Sequence, residues 1–126
     1  MRSFETIKEK LAERIYRWYE EEMGITPSSV SVMTDGELMF IRFKNVISRS
    51  EVILSGEPSG KELLREVNER LSMEVLFDVS EIVYEFTGLG VQELRIDDSY
   101  HLREKTYILT LNGRLEDLDD GWIEDC

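Results

Sequence analysis

The stretch SGKELLREVNERLSMEVLFDVSEIVYEFTG, residues 59–88, decides the fold. Ser59 and Glu62 have the spacing of a capping box, Pro58 precedes them, and Gly88 can take the left-handed conformation that ends a helix. The spacing predicts one helix of about seven to eight turns. Leu64, Val67, Leu71, Val75, Val79, Ile82 and Phe86 recur every three or four residues, so they share one face, and that face is expected to meet a core. Met73, Phe77 and Tyr84 lie four and seven residues apart on nearly the opposite side, and Leu76 adds apolar surface beside Phe77. One side serves the chain's own domain; the other requires a different partner.

Upstream, Ser3 is an N-cap candidate for a first helix in which Phe4, Ile7, Leu11, Ile15, Trp18, Tyr19 and Met23 follow at helical spacing. Gly24 and Pro27 end it. Ser29 to Met33 alternates as a strand does, Asp35-Gly36 signals a tight hairpin, and the chain returns through Leu38 to Phe43, apolar except for Arg42. A second capping box, Ser48 to Glu51, opens a turn or two of helix through Val52, Ile53 and Leu54. Downstream of the long helix, Val91 to Asp97 alternates, with Leu94 and Ile96 to one side. After a polar loop from Asp98 to Arg103, Thr106 to Leu111 places Tyr107, Leu109 and Leu111 on one face.

The order is therefore α-β-β-(short α)-α-β-β, two αββ units in succession. It predicts an α+β fold: a two-layer sandwich of a four-stranded antiparallel sheet and two main helices, a circular relative of the ferredoxin-like arrangement. Periodicity leaves the strand order open. The long helix spans roughly 40 Å against about 20 Å for such strands, so it should overhang its sheet. The half carrying Met73, Phe77 and Tyr84 is expected to form a homodimer interface, the first half belonging to the monomer.

Composition narrows the function. Among 126 residues, 15 basic against 27 acidic side chains leave a net charge of −12, which repels phosphate backbones and argues against nucleic acid as a partner. No apolar run approaches the roughly 20 residues of a membrane span, and no signal-peptide pattern opens the chain, so a cytoplasmic location is expected. One domain over residues 1–113 and an acidic tail over 114–126 are the expected divisions. The single cysteine, Cys126, supports neither an intrachain disulfide nor a thiolate metal cluster.

Three stretches resemble a family of small bacterial proteins described as MpsC-like, associated with a Na+-translocating, membrane-potential-generating system. They are Gly24-Ile25-Thr26-Pro27-Ser28-Ser29-Val30 with its continuation through Asp35-Gly36-Glu37-Leu38 to Ile41-Arg42; Glu51-Val52-Ile53-Leu54 with Gly60-Lys61-Glu62-Leu63-Leu64 and Val67; and Glu81 through Val91. The chain departs from the family's pattern at Leu76-Phe77, where more polar residues or a proline are expected, and in its acidic tail. The resemblance implies a cytoplasmic accessory protein, peripheral to the membrane, that docks on a membrane transport complex for ion or bicarbonate uptake. It implies no catalytic residues. A chain without a spanning segment cannot itself be the conduit.

Candidate sites are few. The loop from Asp97 to Glu104 holds the only histidine, His101, with Asp97, Asp98, Glu104, Ser99 and Tyr100 around it. A general base or metal ligand could be built there, yet a solvated hairpin tip is the commoner reading. Asp78 and Asn68 fall at the edge of the long helix's core face; each could mark a pocket, or sit at the rim and reach water or a base such as Arg42. In the tail, Leu115, Leu118 and Trp122 have helical spacing among carboxylates that do not match a calcium loop. No catalytic, cofactor or metal site is assigned. The expectation is a non-enzymatic homodimeric interaction protein. The alternative is a small ligand-binding or sensory module, with a pocket between helices or on the open sheet face.

Overall fold

A computed structural model of the chain describes residues 4–117. Helix α1 runs from Phe4 to Met23, strand β1 from Ser29 to Asp35, β2 from Leu38 to Lys44, helix α2 from Arg49 to Ser55, α3 from Pro58 to Thr87, β3 from Val91 to Ser99 and β4 from Glu104 to Leu111. A single 3-10 turn follows at Leu115–Asp117. The predicted order of elements is the observed one. Ser3, Leu118 and Trp122 lie outside the described residues.

Local chemistry explains most of the boundaries. Ser48 and Glu51 form the expected capping box at the start of α2. The box expected at Ser59 and Glu62 is absent: α3 begins two residues earlier, with Glu57 as N-cap and Pro58 in the first turn, where its fixed φ suits a helix and its missing N–H is not needed. Glu62 instead pairs with Arg65. At the other end Gly88 adopts φ 72° and its N–H donates to the Tyr84 carbonyl. The buried Thr87 hydroxyl donates to the Val83 carbonyl and accepts from the Leu89 N–H, so the helix end is satisfied within the core. The first hairpin turns on Gly36 and Glu37, one residue later than Asp35-Gly36 suggests, because Asp35 pairs with Leu38 and Gly36 alone takes the positive φ.

The sheet order is β1-β2-β4-β3, antiparallel throughout. Each αββ unit contributes a hairpin, and the two hairpins join through their second strands. Moving β4 to the front of the chain would give β-α-β-β-α-β, with β2 lying between β4 and β1; this is the split βαβ of the ferredoxin-like arrangement, opened at another point. Both long helices cover one face. Met39, Ile41 and Phe43 of β2 and Tyr107, Leu109 and Leu111 of β4 are buried there against Ile7, Leu11 and Ile15 of α1 and Val75, Val79 and Val83 of α3. Each such side chain contributes roughly 1.5–3 kcal/mol of burial. Tyr19, Phe43 and Tyr107 pack ring to ring in sequence, the first pair tilted and the second edge-on, with centroids 4.4 and 4.7 Å apart. Leu115 is also fully buried in this core. On the open face Met33, Phe40, Ile108 and Arg95 form one row across the four strands.

The long helix overhangs its sheet at the opposite end from the one expected. Asn68 lies beside Asp98 near the end of β3, and Thr87 lies near its start. The nineteen steps of helix between Asn68 and Thr87 span roughly 28 Å, and the eight steps of β3 about 27 Å, so the two match. The turns before Asn68 project beyond the hairpin and pack on α2 instead. The second half of α3 therefore carries most of the helix's core residues, Val75, Val79, Ile82 and Val83, and the first half buries only Gly60 and Leu64. Val67, expected in the core, is 50% exposed because no strand lies beneath that turn.

Candidate functional site

The 3.6-residue period that turns Val75, Val79 and Ile82 into the core turns Met73, Phe77 and Tyr84 outward. These three are 75%, 70% and 62% exposed. Leu63 and Val67 are also about half exposed, but they lie on the projecting turns of α3 and Val67 belongs to its core-facing side, so neither extends the row. Leu76 does not join it; it is half-buried and packs against the core. Over its second half, the outer face of α3 thus carries Met73, Phe77 and Tyr84 with no covering element among the described residues.

Beside this row, α1 and the second half of α3 border a groove of about 760 Å³. Phe77 and Tyr84 stand on its rim, and Glu21, Glu22, Glu81 and Glu85 line it, with Arg14 the only cation in its lining. Asp78, singled out from the sequence, sits in the same wall and accepts a hydrogen bond from Trp18 Nε1 at 3.2 Å. Its role is to tie α3 to α1, since a half-buried carboxylate needs a donor.

Asn68 is half-buried at the edge of the helix's core face, and it reaches a base. Its side-chain N–H donates to Asp98 Oδ2 at 2.6 Å, and its carbonyl accepts from Lys105 Nζ at 3.1 Å. Lys105 Nζ also donates to Asp98 Oδ1 at 2.8 Å, and the Tyr100 hydroxyl donates to Asp98 Oδ2 at 3.0 Å. Asn68 reaches Lys105 and not Arg42, which lies 3.8 Å from Glu104 on the open face. Lys105 is the residue that the sequence reading passed over. The signal was there: Lys105, Tyr107, Leu109 and Leu111 continue one alternation, so Lys105 shares the buried face. Burial in this neighbourhood, with Asp98 near, pushes the Tyr100 hydroxyl well above its ordinary value.

The network fixes where α3 lies along the β3–β4 hairpin. His101 stands apart from it, exposed at the hairpin tip, and no hydrogen bond or ion pair links it to Asp97 or Glu104. Among the described residues no group of three or more His, Cys, Asp or Glu is arranged to hold a metal. No helix among them is long and apolar enough to cross a membrane.

A family model described as "Na+-translocating membrane potential-generating system (MpsC)" matches residues 4–113 of the chain. No curated protein and no solved structure matches it.

Proposed function

The chain belongs to the MpsC family, and we propose from that premise that it is a non-enzymatic accessory protein of a Na+-translocating membrane system, working as a homodimer. The observation that carries this reading is the outward row of Met73, Phe77 and Tyr84. Large exposed side chains on one helix face are what an assembly covers, and aromatic residues are frequent anchors of such contacts. Two copies meeting along α3 about a two-fold axis would cover it. In this reading the conduit belongs to a membrane-spanning partner, for ions or bicarbonate, and this chain attaches at its cytoplasmic face.

Light scattering at micromolar concentration tests the assembly. The expected result is twice the chain mass for the native protein and the chain mass for Phe77→Ser, with unchanged circular dichroism. A native protein that runs as a monomer would remove the homodimer. Co-purification from membranes under native conditions tests the accessory role, and recovery of no transport component would remove it.

A further inference from the structure

The groove between α1 and α3 holds four carboxylates, Glu21, Glu22, Glu81 and Glu85, that make no ion pair or hydrogen bond with other described residues. Asp78, the fifth carboxylate of its wall, is already committed to Trp18. One cation, Arg14, faces this set. Phe77 and Tyr84 stand at the rim, more than half exposed. Such a groove has two complements to offer: negative charge along its length and aromatic surface along one edge.

We infer that this groove is the docking site for a Lys/Arg-rich amphipathic segment of a membrane protein. The inference rests on the chain's serving a membrane system but not on its forming a dimer. Charge complementarity selects the occupant. An acidic ligand, or the carboxylate-lined groove of a second copy, would bring carboxylates against carboxylates. A basic segment reverses the sign of that interaction, and its apolar residues at helical spacing would lie against Phe77 and Tyr84, where Arg side chains also stack on ring faces. Segments of this composition flank membrane spans on the cytoplasmic side, where Lys and Arg accumulate. An amphipathic helix seated in a groove between two helices is an established mode of recognition. Phe77 and Tyr84 are shared with the outer row, so docking and self-association meet at that ridge, whereas the carboxylates belong to docking alone.

The test uses the full chain and a fluorescein-labelled helical peptide of roughly 18 residues, with Leu at helical spacing and Lys or Arg elsewhere, read by fluorescence anisotropy at about 50 mM salt. The expected result is binding that weakens about tenfold in the triple variant Glu22→Gln, Glu81→Gln, Glu85→Gln. A control that removes the same charge elsewhere, Glu9→Gln, Glu37→Gln, Glu57→Gln, should change binding by less than about twofold. These residues are exposed and outside the groove lining, so folding is retained and is checked by thermal melting. No binding by the native chain, no loss in the groove variant, or equal loss in both variants would overturn the inference. Groove-dependent peptide binding with no membrane protein recovered in the native co-purification would instead overturn the membrane-system reading.

Discussion

Lys105 Nζ lies 2.8 Å from Asp98 Oδ1, and the two side chains are only 7% and 4% exposed. Two adjacent antiparallel strands thus bury an ion pair on the helix-covered face, directly opposite each other in register. Attraction between them is offset by the cost of taking both from water, so the pair's value depends on Asn68 and Tyr100 completing the bonds.

Breaking that pair from one side should cost far more than removing it whole. Lys105→Met is expected to destabilise the protein by about 3–5 kcal/mol, because it strands a buried carboxylate. Adding Asp98→Leu should recover a large part of the loss. Urea denaturation of the two single variants and the double variant measures the coupling. Additive losses would show that the two charges act independently.

Alkaline pH should unfold the protein through its buried phenols. Burial, together with nearby Asp98, holds the Tyr19 and Tyr107 hydroxyls well above their ordinary value of about 10. The unfolded chain ionises them first, so their contribution is intact below about pH 10 and declines as pH rises beyond it. The slope is about 1.4 kcal/mol per pH unit for each phenol. Denaturation midpoints that hold constant from about pH 9 to 11 would contradict this.

Replacing Gly60 tests the packing of the projecting end of α3. A Cβ at this position would overlap the carbonyl oxygen of Leu54 in α2. Alanine ordinarily favours a helix over glycine by about 1 kcal/mol. Gly60→Ala should nonetheless destabilise by about 1–3 kcal/mol, and hydrogen exchange should quicken in α2 before the sheet. A stabilised variant would mean that α2 moves aside freely.

Tyr107→Phe should be neutral or raise stability by up to about 1 kcal/mol. The hydroxyl is buried without a protein partner among the described residues, while the ring makes the contacts with Phe43 and Trp18. Thermal melting decides it. A clear loss of stability would mean that the hydroxyl, not only the ring, is bonded in the folded protein.

Where the sequence reading fell short, the cause is physical. Leu64 and Val67 carry the same pattern, yet only Leu64 is buried, since period assigns a face but does not say where the sheet beneath it ends. Asn68 was legible as a polar residue at a core edge. Its partners were not, because Asp98 and Lys105 are 30 and 37 residues away along the chain. The Ser59–Glu62 spacing was outweighed by Pro58, which starts the helix by its own backbone geometry.

The sequence by itself determined what short-range rules govern: two αββ units, the cap at Ser48, the stop at Gly88, the buried faces of β2 and β4, and the outward row of Met73, Phe77 and Tyr84. These follow from periodicity and local backbone geometry, which involve residues only a few positions apart. Tertiary structure alone decided the strand order β1-β2-β4-β3, the end at which α3 outruns its sheet, and the meeting of Asn68, Asp98 and Lys105. It also set the carboxylates of α1 and α3 around one groove. Each of these is a contact between distant segments, fixed by how the layers pack and not by any pattern within one of them.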